Sequence, residues 1–179
     1  AYRCWMGAGR KVDRGWEPEE NGEGKCIMSR EGLSTAIRAA RAAGDNSIHV
    51  EGGDQFQGSL FYTVYKGKAA AEMMTALGYE AMTVGNHEFD DGPEVLAGFM
   101  DAVNFPVLMS NADVSGEPLL AGKLAKSTVI EQGGEKLGFI GLTPQDTDQL
   151  ASPGKNIIFT APSDAEPGPA AQPIAYTPL

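Results

Sequence analysis

The stretch Glu80-Ala81-Met82-Thr83-Val84-Gly85-Asn86-His87-Glu88-Phe89-Asp90-Asp91-Gly92-Pro93 decides the fold. Residues 80–84 read as a short strand, and residues 85–91 turn the chain out of it. Pro93 then opens a helix to about residue 103, because its fixed φ and missing N–H suit the first helical position. Strand, polar turn and helix in that order form the repeating unit of a layered α/β architecture. Functional groups in such folds collect in the loops beyond the carboxyl ends of parallel strands.

The same grammar continues on both sides. Upstream, residues 47–50 read as a buried strand that ends in the glycine-rich turn Glu51-Gly52-Gly53-Asp54-Gln55. A helix is expected over 63–77, with Ala70, Met73, Met74 and Leu77 facing the core and Gly78 closing it. Another helix begins after Ser29, placing Leu33, Ile37 and Ala40 on one face, with Gly44 as its C-cap. Downstream, Pro106 precedes the apolar run Val107-Leu108-Met109, which ends at Ser110-Asn111. Residues 126–142 flank Gly133-Gly134 in the pattern of an antiparallel hairpin, and residues 156–160 form one more strand.

The ends differ in character. Residues 1–28 are an irregular segment rich in glycine and charge, read as solvated loop, and residues 161–179 are an extended Pro/Ala-rich tail. The fold is expected to lie within residues 29–160. Cys4 and Cys26 are too widely spaced for a redox pair and too few for a zinc cluster, which leaves one disulfide or two free thiols. No apolar run approaches the roughly 18 residues of a membrane helix, and no basic leader with an apolar core opens the chain.

With 24 acidic against 14 basic residues, the net charge of −10 has the wrong sign for binding a nucleic acid duplex through many phosphates. A small phosphorylated substrate remains compatible, since bound divalent cations can invert the local field. The residues able to do such chemistry are Asp54, Asn86, His87 and Asp90. A carboxylate can bridge two cations, an amide oxygen can complete a coordination shell, and an imidazole can act as ligand or acid. Each has a plainer reading: Asp54 and Asn86 as turn residues, His87 as a surface histidine, Asp90 as a helix cap. Asp90 lies three residues after His87, where it could accept the imidazole N–H.

Gly53-Asp54-Gln55-Phe56-Gln57-Gly58 and Gly85-Asn86-His87-Glu88-Phe89-Asp90 resemble two signature blocks of the 5'-nucleotidase branch of the calcineurin-like metallophosphoesterases. Residues 62–78, 105–111 and the hairpin leading to Ile140-Gly141-Leu142-Thr143 are similar to that family too, so the resemblance spans residues 29–160. It implies a metallophosphoesterase-like sheet sandwich flanked by helices, here incomplete, and a site holding two divalent metal ions such as Zn or Mn. Carried over residue by residue, Asp54 matches the bridging carboxylate, Asn86 a ligand of the second metal, and His87 with Asp90 the catalytic dyad. Glu88 is expected to support the loop rather than react. The implied reaction is in-line hydrolysis of nucleoside 5'-monophosphates or related phosphoesters by a cation-activated water, in the periplasm or outside the cell.

The sequence also departs from the family. Its opening Asp-x-His metal motif is absent, and if Arg14 matches the family's arginine, Arg10 and Val12 stand at the ligand positions. Glu51-Gly52-Gly53-Asp54 replaces Asp-Ala-Gly-Asp, and Met28-Ser29 or its neighbours replace a Gly-Gly pair. His49 and His87 are the two histidines, and His49 sits mid-strand, where packing is its expected role. The family's later histidine ligands and its C-terminal substrate-binding domain fall beyond the resemblance. Asp54 and Asn86 alone should hold a metal weakly, so the chain by itself is expected to be weak or inactive. The alternative is a degenerate, non-catalytic binding module of the same fold. A Rossmann site is disfavoured, because Gly52-Gly53-Asp54 lacks the spaced glycines that seat a pyrophosphate.

Overall fold

The computed structural model describes residues 5–6, 10–11, 30–44, 46–166 and 168. Val12, Arg14, Cys4, Cys26 and most of the proline-rich tail lie outside the described residues. The chain divides into two compact units, residues 1–47 and 48–179. In the first, strand β1 (Trp5–Met6) pairs antiparallel with β2 (Arg10–Lys11), and α1 spans Arg30–Ala42. That helix starts where Ser29 was expected to begin it.

The second unit carries the site. Its centre is a parallel sheet of β3 (Val50–Glu51), β4 (Ala81–Thr83) and β5 (Val107–Leu108), in that order. Val50 registers with Ala81, and Met82 with Val107, so the three strand ends finish side by side. The ladder continues past the strands, where the Val84 N–H donates to the Leu108 carbonyl at 3.0 Å. His49 packs as expected: its ring lies 3.7 Å, centroid to centroid, from that of Tyr79.

The segment expected as one helix is two. Helix α2 (Leu60–Tyr65) and helix α3 (Gly67–Leu77) break at Lys66, whose φ of 53° and ψ of −144° lie outside helical space. The Ser59 hydroxyl caps α2 by accepting the Tyr62 N–H at 3.2 Å, and left-handed Gly78 closes α3 as expected. Of the methionines on α3, Met74 is buried while Met73 is half-buried. Helix α4 (Pro93–Ala102) packs against α3, and Phe56, Met74, Met82, Leu96 and Phe99 join in one apolar core beneath both.

The remaining strands are antiparallel. Short β6 (Ala112–Asp113) pairs with β9 (Ile158–Phe159). Between them, β7 (Ser127–Gln132) and β8 (Glu135–Ile140) form the expected hairpin, with Gly133 and Gly134 at φ of 60° and 85°. Positive φ at both central residues is what a turn matching the strand twist requires. A one-turn helix, α5 (Thr147–Leu150), follows the hairpin.

Buried Asn111 ties these pieces to the sheet. Its Nδ2 donates to the Thr143 and Thr160 carbonyls at 2.8 and 2.9 Å, and its Oδ1 accepts the Thr143 N–H at 2.8 Å. Thr143 passes the constraint on, its hydroxyl donating to the Val84 carbonyl at 2.7 Å. Val84 immediately precedes the polar loop after β4, so the hairpin's exit anchors the edge of the site.

Candidate functional site

Two loops meet at the carboxyl ends of β3 and β4. The first follows β3 and turns through Gly53 (φ 95°) and Asp54 (φ 60°). Asp tolerates this left-handed region better than most residues with a side chain. The second follows β4 as Gly85 and Asn86, then winds one 3-10 turn over His87–Phe89.

Glycine permits their approach. A Cβ on Gly53 would stand 2.6 Å from the Gly85 nitrogen, and a Cβ on Gly85 would stand 2.7 Å from the Asp54 nitrogen. Real Cβ atoms do not come so close, so any larger residue at either place forces the loops apart.

The approach brings the residues singled out in sequence together. The Asp54 Oδ1 accepts the His87 backbone N–H at 3.1 Å, locking the carboxylate onto the Asn86-His87 turn. Asn86 begins the 3-10 turn and makes no side-chain cap hydrogen bond. His87 Nδ1 and Asp90 Oδ2 are 2.7 Å apart. That bond, outweighing partial desolvation, raises the His87 pKa above the usual histidine value. It also fixes the ring: with Nδ1–H donated to Asp90, Nε2 is the outward atom. His87 is half-exposed and Asp90 largely covered, so the dyad presents the imidazole to solvent and holds its partner behind it.

Glu88 shows why the two loops stay in register. It is fully buried, and its carboxylate accepts four backbone N–H groups. Oε2 takes Gly85 at 2.7 Å and Asp54 at 2.8 Å, while Oε1 takes Gln55 at 2.6 Å and Phe56 at 3.2 Å. Burial pushes this carboxyl up from its ordinary value, against the downward pull of the four donors. Every one of these partners donates, so the arrangement serves the ionised form: a protonated carboxyl would aim its own hydrogen at an amide hydrogen.

A second buttress went unread in the sequence. The Tyr62 hydroxyl donates to Asp91 at 2.6 Å, and the Lys66 ammonium contacts both Asp91 oxygens at 3.1 Å. Burial, followed by the bond to Asp91, raises the Tyr62 pKa; the Tyr62 hydroxyl, then Lys66, lowers that of Asp91. Tyr62 within α2 and Lys66 at the break after it thus both reach the residue next to Asp90. The available signal was the spacing of Tyr62 and Lys66, one helical turn apart.

No protein-family model matches the chain. A 5'-nucleotidase of Diplobatis ommata is 41% identical over 150 residues, covering 80% of this chain and 26% of the relative. The crystal structure of a 5'-nucleotidase precursor from Thermus thermophilus superposes with a TM-score of 0.72 at 38% identity, over 78% of this chain and 27% of that one. The chain groups with the 5'-nucleotidase family. The calcineurin-like phosphoesterase YfkN from Bacillus subtilis superposes with a TM-score of 0.53 at 25% identity, covering 69% of this chain and 42% of that one. The expected α/β fold of a calcineurin-like 5'-nucleotidase therefore stands. It spans about a quarter of the length of the curated relatives it matches.

Metal ions are implied by this family. Asp54 and Asn86 offer two oxygen donors on adjoining loops, a chemistry that suits a divalent cation. Among the described residues, no group of three or more His, Cys, Asp or Glu is placed to hold one. The fit is thus to one part of a coordination shell.

Proposed function

We propose that the whole protein hydrolyses nucleoside 5'-monophosphates or related nucleotide phosphoesters with divalent cations. In this reading the 179-residue chain contributes a half-site that is weak or inactive by itself. The observation that carries the reading is the convergence of Asp54, Asn86 and the His87–Asp90 pair on two loops that Glu88 holds together.

Asp54 and Asn86 are the residues that would hold a cation, which when bound would neutralise phosphate charge. The chain's own contribution is the placing of a proton. Asp90 keeps His87 charged to higher pH than usual and turns Nε2 outward. From there the imidazolium can stabilise the negative oxygens of a phosphoryl group or give a proton to the departing alkoxide. A nucleotide is the proposed substrate, the periplasm or cell exterior the proposed place of work, and a C-terminal domain the proposed holder of the base. These three rest on the family likeness.

The test is phosphate release from AMP with Mn²⁺ present. In the whole protein, His87→Ala should lower the rate by about 10²- to 10⁴-fold, the usual worth of a positioned acid. The 179-residue chain alone should turn over far below the roughly 10 s⁻¹ of a typical enzyme. Undiminished AMP hydrolysis by the whole-protein His87→Ala variant would refute the phosphoesterase reading. Ordinary turnover by the short chain, lost on His87→Ala, would refute the half-site.

The alternative, a non-catalytic module of the same fold, would need no charged imidazole. The 2.7 Å His87–Asp90 bond favours the enzyme.

A further inference from the structure

We infer that Glu88 is the positioning residue of this centre, and that its negative charge, rather than its bulk, sets the spacing between Asp54 and the Asn86-His87 pair. The inference rests on the reading of Asp54 and Asn86 as metal-holding residues, and assigns a role to a side chain that touches neither substrate nor cation.

The argument is one of satisfied and unsatisfied groups. The amides of Gly85, Asp54, Gln55 and Phe56 point inward at the junction of two loops, where no solvent reaches Glu88. Four converging N–H groups make a positive concavity, and an ionised carboxylate is the acceptor with enough lone pairs for all of them. The division matters most. Oε2 bridges the two loops, taking Asp54 from one and Gly85 from the other, while Oε1 holds only the first loop. The Asp54–His87 contact at 3.1 Å lies just beyond that bridge. Outer residues that orient metal ligands in this manner commonly change metal affinity by about 10- to 100-fold when altered.

A glutamine of the same shape cannot do this work. In Glu88→Gln the carbonyl oxygen can accept from one side, but the NH₂ group must face N–H donors on the other. The neutral isostere keeps the packing and, whichever way its amide faces, turns an NH₂ group on two of the four donors, so the Asp54–Phe56 loop loses at least one of its bonds.

The experiment compares the wild-type chain with Glu88→Gln by amide hydrogen exchange and by Mn²⁺-induced NMR line broadening. The expected result is exchange within the Asp54–Phe56 segment faster by at least about tenfold, with α3 and α4 protected as before and circular dichroism unchanged. Broadening of the Asp54, Asn86 and His87 resonances should need at least about tenfold more Mn²⁺ in the variant. Equal protection and equal Mn²⁺ response in the two proteins would overturn the inference. If Glu88→Gln does not fold, the wild type decides: scalar couplings across hydrogen bonds from the Asp54, Gln55 and Gly85 amides to the Glu88 carboxylate carbon are expected, and their absence overturns it. A wild-type chain whose Asp54 and Asn86 resonances ignore Mn²⁺ would overturn the metal-centre reading. Glu88's hold on Asp54 and His87 would then stand or fall on the exchange data.

Discussion

Replacing Gly85 with alanine adds one methyl group at the tightest point between the two loops. The new Cβ would stand 2.7 Å from the Asp54 nitrogen and 2.8 Å from its Cγ, and would overlap Asp54 Oδ1. Backbone forms part of that wall, and the Asp54 side chain is pinned by the His87 N–H, so the strain cannot be shed by a rotamer change. Overpacking of this kind costs about 1–3 kcal/mol. Separating the loops also stretches the Glu88 bridge, at 2.7 Å to Gly85 and 2.8 Å to Asp54, and one charge-assisted bond lost adds about 1.5–3 kcal/mol. The sum, about 2.5–6 kcal/mol, is large for a single methyl group against a domain stability of about 5–15 kcal/mol. Gly98→Ala is the control: nothing lies within 4 Å of its Cβ position on α4, and alanine there should stabilise by about 0.5–1 kcal/mol. Urea unfolding followed by circular dichroism measures both. A Gly85→Ala variant within about 0.5 kcal/mol of wild type would refute the argument that the loops touch through glycine.

Asn111→Ala should destabilise by about 2–5 kcal/mol in the same assay, because it strands the buried Thr143 N–H and carbonyl; a loss under about 0.5 kcal/mol would show that these groups find other partners. The Asp91 pKa is depressed in the fold by Tyr62 and Lys66, so Asp91 adds stability that is present above the ordinary aspartate range near pH 4 and lost as the pH falls through the depressed value. Asp91→Asn should therefore lower stability at pH 7 and flatten its decline below about pH 4, measured by thermal unfolding across pH. For His87 the sign reverses: its raised pKa favours the fold below about pH 6.5 and the gain is lost as pH rises through the folded value. Asp90→Asn should bring the His87 titration, followed by NMR on metal-free protein, down toward about 6.5, and an unmoved titration would separate the two residues.

Local chemistry made much of this readable in advance. Pro93 opened its helix and Gly78 closed another, because φ restrictions act within one or two residues. Gly133-Gly134 announced the hairpin for the same reason. The two motif blocks placed Asp54, Asn86, His87 and Asp90 at neighbouring strand ends, and the distances agree with that placement. What stayed hidden depends on contacts distant in sequence. Lys66 breaks a helix that periodicity alone would continue, and its ion pair lies 25 residues away. Glu88 was expected to support its loop, yet no local pattern reveals that its carboxylate gathers amides from residues more than 30 positions earlier. Asn111 closes an apolar run in sequence and is a buried junction in the fold.

Calorimetric titration of the 179-residue chain with Zn²⁺ or Mn²⁺, repeated on Asp54→Ala, tests the central claim most directly. A half-site built on Asp54 and Asn86 predicts weak binding that Asp54→Ala abolishes. A tight stoichiometric site in the wild type, or binding that Asp54→Ala leaves untouched, would contradict it.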